Sequence, residues 1–360
     1  MEVFGEKLKK DELFKKIGDI TQICDIKSFE YNDGVSKGIR AININNSISG
    51  INITVLIDRG LDISYLSYKS IPLGFKTKVK ETSLMYFDSK GLEFLRTFYA
   101  GFLTTCGLSS IGWPSEDNGE EFGLHDRISN IGAEKVLADI DWIDDANIFI
   151  QGKVREAKWL GDYLELSRKV KVFLDEPVIV IEDCVENIGY RESPLMILYH
   201  FNLGFPMLDR GARLFIGRAK TIAGDKNSEK YINEYNIFTD PVDNFSPQLF
   251  YHDINEDSKG NCNIVFSNPS FDNRKGIGLW ISYNKENLLC LNQMKNMSFG
   301  EYICSIEPGS NFVRGREIEK SMGRLRTLKP GEKAYFKIKI KILASNMEII
   351  NLLDYLGFKN

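Results

Sequence analysis

The sequence YLELSRKVKVFLDEPVIVIEDCVEN, residues 163–187, carries the clearest structural signal of this 360-residue chain. Polar and apolar side chains alternate along residues 169–174, a pattern that is typical of an antiparallel strand with one face in solvent. The segment Asp175-Glu176-Pro177 interrupts this pattern with residues that favour a turn. We therefore predict two strands, Tyr163–Phe173 and Val178–Asn187, joined by that turn.

The same strand signal recurs along much of the chain. Residues 50–66 predict two strands around the turn Asp58-Arg59-Gly60, and residues 147–154 and 334–342 predict further strands. Many short strands separated by turn signals are typical of a sandwich or a barrel. The sequence thus predicts an all-β fold built from large antiparallel sheets.

Helical patterning is scarce. Residues 7–16 and 347–356 predict short terminal helices, and residues 209–263 form the least patterned region, for which we expect long loops. No linker rich in Pro, Gly or Ser, no low-complexity tract and no repeat of fixed period divides the chain. We therefore expect a single domain over residues 1–360.

Composition and charge exclude several classes of partner. Hydrophobic residues make up 43% and charged residues 27%, as in soluble globular proteins, and the net charge is −4. A nucleic acid or an anionic membrane surface needs a concentrated basic surface, which this balance does not indicate. The charged N-terminus does not resemble a signal peptide, and none of the six cysteines forms a CxxC pair. We expect reduced thiols and a cytoplasmic protein.

The three histidines all lie in distinctive segments. His125 lies in FGLHDR (122–127), His200 in YHFNLGFP (199–206) and His252 in FYHD (250–253). Imidazole suits proton transfer because its unperturbed pKa lies near neutrality. Glu307, in IEPG (306–309), adds a carboxylate that we place at the end of a strand, at the rim of its sheet. These four residues form a candidate acid/base set.

The order of these motifs resembles the aldose 1-epimerase (galactose mutarotase-like) superfamily. Strand Val178–Asn187 leads to His200 and a following Phe-Asn-Leu, which is similar to the strand that ends in the family's catalytic histidine. Glu307, before a proline, resembles the catalytic glutamate. His125 with Arg127 resembles an earlier substrate-binding histidine. The resemblance covers about residues 45–342, and residues 58–63, 94–96 and 101–108 are similar to a divergent branch known only as a domain of unknown function.

This resemblance implies a fold, a reaction and a partner. The fold would be a galactose mutarotase-like β-supersandwich with a core at about residues 45–342 and short helical extensions at both termini. The reaction would be interconversion of sugar anomers, with Glu307 as base, His200 as acid and His125 holding the ring. No metal and no cofactor would be needed. The partner would be a small-molecule sugar or sugar acid, and a homodimer is an open alternative to a monomer.

The sequence also departs from the family pattern. The Asn-Arg-Ile segment of galactose mutarotases is not evident, and Arg96 is the candidate substitute. The family's sugar-binding aspartate has no clear match, so the identity of the sugar does not transfer. Arg127, Arg96, His252 and Lys295 are candidate ligands for hydroxyl or carboxylate groups. So many basic candidates indicate a substrate with an acidic group.

Two other functions stay open at this point. A metal-dependent sugar isomerase or lyase would use His125, His200, His252 and Glu307 as ligands, since imidazole and carboxylate bind several divalent ions. A non-catalytic carbohydrate-binding protein is the other alternative, because a fold does not fix a function. Structural roles also compete with functional ones: Arg127 could merely pair with an acid, and His252 could merely belong to a turn.

Overall fold

Two large antiparallel sheets lie face to face in the computed structural model, which describes residues 1–143 and 146–358. The strands, in chain order, are β1 (Glu2–Val3), β2 (Glu6–Lys7), β3 (Cys24–Glu30), β4 (Arg40–Asn46), β5 (Ile51–Leu56), β6 (Asp62–Tyr68), β7 (Ile71–Pro72), β8 (Phe75–Lys76), β9 (Ala100–Gly101), β10 (Leu103–Leu108), β11 (Ser115–Asp117), β12 (Glu120–Phe122), β13 (Glu134–Asp141), β14 (Asn147–Ala157), β15 (Tyr163–Phe173), β16 (Val178–Asn187), β17 (Ser193–Leu203), β18 (Arg213–Ile216), β19 (Ala219–Ala223), β20 (Gln248–Ile254), β21 (Asn261–Asn268), β22 (Ile277–Asn284), β23 (Cys290–Ser298), β24 (Glu301–Gly309), β25 (Arg326–Leu328) and β26 (Lys333–Leu343). The predicted all-β fold is confirmed.

The helices are few and short, as predicted. The α-helices are α1 (Lys10–Phe14), α2 (Phe271–Arg274), α3 (Arg316–Ser321) and α4 (Asn346–Leu356), and 3₁₀ turns lie at Ile20–Gln22, Gly34–Ser36, Leu84–Tyr86, Glu93–Arg96, Ile128–Asn130 and Ser228–Tyr231. Helix α4 is the longest, and its N-cap residue Ser345 accepts a hydrogen bond from the backbone NH of Glu348. Within the described residues, no helix is both long enough and apolar enough to cross a membrane.

The alternating sequence at 163–187 forms two neighbouring strands of the smaller sheet. This sheet has the order β13-β14-β15-β16-β26-β22-β21-β18, and β15 and β16 have the predicted bounds. The larger sheet has the order β19-β20-β23-β24-β17-β10-β6-β5-β4-β3, with β7 and β25 pairing at its side. One continuous apolar cluster, from Val3 to Ile342, fills the space between the two sheets.

Two regions differ from the sequence prediction. Strands β3 and β4 belong to the larger sheet, so the sandwich begins near residue 24 rather than near 45. The region 209–263, expected to be long loops, contains β18, β19 and β20. Because one apolar cluster draws on nearly the whole chain, we propose that the chain is a single domain.

The two faces of the larger sheet carry different side chains. Paired residues of neighbouring strands point to the same face. The core face carries Leu103, Phe201 and Ile306, which belong to the main apolar cluster. The opposite face, which we call the outer face, carries Thr104, His200, Glu307, Asn292 and Tyr251, aligned across β10, β17, β24, β23 and β20.

A buried ionic cluster joins the two sheets through the core. Arg168 of β15 donates hydrogen bonds to Asp183 of the neighbouring strand, to Asp62 of the larger sheet and to the Thr105 hydroxyl. Neither Arg168 nor either aspartate has exposed side-chain surface. Burial raises the pKa of Asp62 to about 6 although Arg168 lowers it. Tyr199 completes the cluster with a 2.7 Å hydrogen bond to Asp183. The ion pair between Arg168 and Asp62 therefore links the two sheets through the core.

Candidate functional site

A histidine and a glutamate meet at the centre of the outer face. The register of β17 and β24, with Phe201 opposite Ile306, places His200 opposite Glu307. His200 Nε2 lies 3.2 Å from Glu307 Oε1, and the Ser305 hydroxyl donates a further hydrogen bond to the same oxygen. His200 is 5% exposed and Glu307 is 2% exposed. Glu307 thus lies inside a central strand, not at the rim of the sheet as expected.

Among the described residues, only one nitrogen of His200 has a partner. Nδ1 is buried without a hydrogen-bond partner, and so is Oδ1 of Asn202, which lies two residues further along the same face of β17. Buried polar atoms of native proteins are normally hydrogen-bonded, so unpartnered atoms of this kind need an explanation. Both side chains belong to the outer face of the larger sheet.

His125 lies against His200. Their ring centroids are 5.7 Å apart and the rings are nearly perpendicular. His125 Nδ1 accepts a hydrogen bond from the Gly112 backbone NH at 3.3 Å, which leaves the proton on Nε2. Burial and the charge of His200 lower the pKa of His125 well below its ordinary value. His125 is therefore neutral near pH 7 and can donate a hydrogen bond from Nε2.

The backbone at His125 is held in an unusual conformation. His125 and Asp126 have φ values of 58° and 55°, in the left-handed region that residues with a side chain rarely adopt. The segment is fixed on both sides, because His125 N donates to Gly112 O at 3.0 Å and Gly107 N donates to His125 O at 3.1 Å. Such over-determined strain is found preferentially at functional sites.

Aromatic side chains from several segments enclose these residues. Phe98 packs edge-on against His200 at 5.3 Å between centroids, and Phe94 packs against His125 at 5.4 Å. On the other side, Tyr251 stacks on Phe312 at 4.9 Å. Burial raises the pKa of Tyr251 to about 12, and the charge of Glu307 acts in the same direction. The polar side chains of the site are thus bordered by aromatic residues.

His252 and Lys295 do not join this site. Both lie on the core face of the sheet, one residue out of phase with Tyr251 and with Met294 of the outer face. His252 is fully buried, and its ring nitrogens contact the Thr221 hydroxyl at 2.9 Å and Gln293 Oε1 at 3.0 Å. Lys295 donates to the Glu234 carbonyl at 3.1 Å. Their partners are all internal, so they are no longer candidate sugar ligands.

Arg96 and Arg127 lie outside the central pair. The Arg96 side chain is 76% exposed and pairs with Glu93 at 2.5 Å. Arg127 pairs with Asp126 at 3.3 Å, as the structural alternative anticipated. It lines a separate small pocket together with Ser109, Glu120, Phe122, Asp126, Glu156, Ala157, Lys158 and Asp162. Neither arginine shows a contact to His200 or Glu307.

Comparison with known proteins identifies the family. The model of a family described as Domain of unknown function (DUF4432) matches residues 36–342. The chain belongs to the DUF4432 family. A search among curated proteins gives no significant match.

Solved structures show which fold the DUF4432 chain adopts. The structure of a putative aldose 1-epimerase from Klebsiella pneumoniae superposes with a TM-score of 0.87 at 21% identity, covering 92% of this chain and 86% of the other. A galactose mutarotase-like protein from Clostridium acetobutylicum gives a TM-score of 0.60 at 16% identity, covering 90% and 99%. The fold is therefore galactose mutarotase-like, and the resemblance drawn from the sequence is confirmed at the level of fold and family.

Sequence reasoning missed several residues of the site in this DUF4432 protein. Thr104, Asn292 and Ser305 lie beside the central pair on the outer face, and Tyr251 and Arg314 lie at its side. Arg314 follows Glu307 by seven residues, but the sequence gives no signal for where the intervening turn directs it. Tyr251 adjoins His252, and only the strand register shows which of the two reaches the outer face.

The metal hypothesis required three histidines and Glu307 in one place. The structure brings His125, His200 and Glu307 together but leaves His252 on the other face of the sheet. Within residues 1–143 and 146–358, no group of three or more His, Cys, Asp or Glu side chains has the arrangement of a metal site. The predicted four-residue ligand set is thus not assembled. The remaining arrangement is a carboxylate and an imidazole in contact, which suits proton transfer.

Proposed function

We propose that this protein is an isomerase of the aldose 1-epimerase type, which interconverts the anomers of a sugar or sugar acid. The observation that carries the proposal is the contact between His200 Nε2 and Glu307 Oε1, buried at the centre of the outer face. The galactose mutarotase-like fold supports it, because the resemblance assigns the base to this glutamate and the acid to this histidine.

The reaction begins with a carboxylate at Glu307 and a protonated imidazole at His200. Glu307 takes the proton from the C1 hydroxyl while His200 gives its proton to the ring oxygen. The C1–O5 bond breaks and an open-chain carbonyl compound forms. After rotation about C1–C2, O5 attacks the other face of C1, His200 takes back the proton from O5, and Glu307 returns its proton to O1. Both side chains end in their starting states.

The surroundings of the pair favour this cycle. The substrate exchanges the direct contact between Nε2 and Oε1 for contacts to its own O5 and O1, which must each lie about 2.6–3.2 Å from their proton donor or acceptor. The Ser305 hydroxyl holds the carboxylate in position. Neutral His125 donates from Nε2 to a ring substituent and adds no second positive charge beside His200.

Exchange NMR of anomer interconversion over a panel of neutral and acidic sugars tests the proposal. Wild type should accelerate at least one sugar, and Glu307→Gln and His200→Ala should each lose about 10²–10⁴-fold in rate, the usual contribution of a general acid or base. His252→Gln is the matched control, because it replaces a histidine of the same sheet on the core face. It should retain turnover.

Three results would separate the alternatives. Unchanged rates in both site variants would remove the catalytic roles from Glu307 and His200. Sugar binding by a folded wild-type protein without any acceleration would favour the carbohydrate-binding function. A rate that requires added divalent metal would revive the metal-dependent isomerase or lyase.

A further inference from the structure

Arg314 projects over the outer face beside the catalytic candidates. It follows β24 in the segment 310–315, and its guanidinium carbon lies 4.8 Å from the ring centroid of Tyr251 and 5.5 Å from that of Phe312. Stacking on aromatic faces fixes the plane of a guanidinium while leaving its edge free to bind a planar anion in a bidentate way. The side chain is thus preorganised as a receptor.

The backbone of Arg314 is anchored to the site from two directions. Asn292, opposite Glu307 on the neighbouring strand, accepts from Val313 N at 3.1 Å and donates to Asn311 O at 3.2 Å. Gly112, whose NH bonds the ring of His125, pairs with Arg314 as an isolated bridge. A Cβ at Gly112 would lie 2.2 Å from the Val313 carbonyl carbon, so only glycine permits this approach. The backbone contacts of Gly112 therefore fix the positions of Arg314 and His125 relative to each other.

The charge of Arg314 is not neutralised inside the protein. Its Nη1 makes a weak contact to Met322 Sδ at 3.6 Å, and its hydrogen bond to the Tyr251 hydroxyl lowers the pKa of that phenol against the effect of burial, but no acidic side chain of the described residues forms an ion pair with it. Nearby Arg324, which also lies over Phe312, is bound by two hydrogen bonds to Glu319. Of the two guanidinium groups beside this ring, Arg314 alone keeps its charge available.

The spacing places Arg314 at the far end of a bound sugar. Tyr251, over which it stacks, is opposite Asn292, which in turn is opposite Glu307. Two strand separations of about 4.8 Å each lie between Tyr251 and Glu307. This span is comparable with a pyranose ring and its exocyclic group, so a sugar with C1 at Glu307 presents the substituent remote from C1 to Arg314.

We propose that Arg314 binds an anionic substituent of the substrate, a carboxylate, phosphate or sulfonate remote from the anomeric carbon, and so makes this protein specific for acidic sugars. This inference rests on the proposed function for the placement of C1 at Glu307. The sequence also indicated an acidic substrate, but from Arg127, Arg96, His252 and Lys295, which the structure places elsewhere. Arg314 supplies the cation that those residues do not.

Matched pairs of sugars that differ only in charge test the proposal. Anomerisation of glucuronate and glucose, galacturonate and galactose, and glucose 6-phosphate should be compared in wild type and Arg314→Met. Wild type should favour the acidic member of a pair. Arg314→Met should lower kcat/KM for that member by about 10- to 100-fold, the range of a charge-assisted hydrogen bond, and for the neutral member by less than about threefold.

Two further variants make the result specific. Arg314→Lys keeps the charge but not the planar fork, so it should recover part of the rate with the acidic sugar. Arg96→Met, which removes an exposed arginine near the site, should leave the preference unchanged. Preference for the uronates over the phosphate, or the reverse, would identify which anion the site accepts. Equal losses for acidic and neutral sugars in Arg314→Met would overturn the proposal.

Failure of the proposed function can be distinguished from failure of this inference. Binding of the same sugars to Glu307→Gln, measured by calorimetry, does not depend on turnover. If wild type accelerates no sugar but glucuronate, galacturonate or glucose 6-phosphate binds and the additional change Arg314→Met abolishes binding, Arg314 is an anion receptor without an epimerase. If the acidic and neutral sugars bind equally well to Glu307→Gln, and equally well to the double variant that also carries Arg314→Met, the inference about Arg314 is wrong whether or not the protein is an epimerase.

Discussion

The larger sheet buries ionisable groups on both of its faces, and the two sets differ in what they leave unpaired. On the core face, every nitrogen of the Arg168 guanidinium has an acceptor, and both ring nitrogens of His252 have partners. On the outer face, His200 Nδ1 has none, and Arg314 has no acidic partner among the described residues. Asp62 Oδ2 in the core cluster also lacks a hydrogen-bond partner among the described residues, but the cations Arg168 and His252 of the core face are fully paired, whereas His200 and Arg314 of the outer face retain capacity for a ligand.

This difference shows why burial alone does not identify a site. Arg168 and Glu307 are similarly hidden from solvent, yet only Glu307 contacts an imidazole, a group that can transfer protons near neutral pH. A buried charge on the core face that lost its partner would destabilise the fold. A change on the outer face should instead affect turnover. Substitutions that separate stability from activity therefore test this difference between the two faces.

Arg168→Met should produce the largest loss of stability. It would leave Asp62 and Asp183 buried without their cation, and breaking a buried ion pair by removing one partner costs about 3–5 kcal/mol. Urea unfolding monitored by circular dichroism measures this free energy. Glu307→Gln is the matched control on the outer face and should cost less, about 1.5 kcal/mol, because the amide keeps the shape and a hydrogen-bond acceptor of the carboxylate.

The reverse outcome would contradict the division between the faces. If Glu307→Gln destabilised the fold as much as Arg168→Met, the pair with His200 would be a structural link like the core cluster. If Arg168→Met were neutral, the two sheets would not depend on this ionic contact.

His252 should make the fold sensitive to acid. Burial, opposed by the hydrogen bond with Gln293, lowers its pKa to about 4, below the value of about 6.5 expected in an unfolded chain. Between these two values the unfolded state binds a proton that the native state does not, so stability falls as the pH decreases. The variant His252→Gln has no titrating group at this position and lacks this contribution to the pH dependence of stability. Relative to the variant, wild type should lose about 2 kcal/mol between about pH 6.5 and pH 5.

Unfolding free energies of wild type and His252→Gln at the two pH values measure the effect, and using their difference removes the contributions of buried carboxyl groups such as Asp62. An unchanged difference would mean that the ring protonates freely in the native state. The His252 ring would then be accessible to solvent, which its buried position on the core face excludes.

Sequence reasoning succeeded where the determining interactions are local. The alternation in residues 163–187 predicted β15 and β16 because side-chain direction along a strand has a period of two. It failed for His252 because the choice between His252 and Tyr251 depends on the pairing of β20 with β23, and a shift of one residue reverses the face. Nothing within residues 250–253 encodes that pairing.

Arg314 was missed for a related reason. Its position depends on hydrogen bonds from Asn292, on the preceding strand, and on contact with Gly112, about two hundred residues earlier. Composition and local pattern carry no record of such contacts. His200 and Glu307 were proposed as a pair only because their flanking motifs resemble a known family, which supplies the long-range pairing that the sequence pattern lacks.

Arg96→Ala should have the smallest effect of all. The side chain is mostly exposed, and its ion pair with Glu93 joins two residues of the same turn, so its loss should change the unfolding free energy by less than about 0.5 kcal/mol. Anomer exchange rates should also stay within about twofold of wild type, since Arg96 contacts neither His200 nor Glu307. A large loss of rate with unchanged stability would instead show that the segment with Phe94 and Phe98 brings this arginine onto the substrate, and would extend the ligand-binding surface beyond the outer face of the sheet.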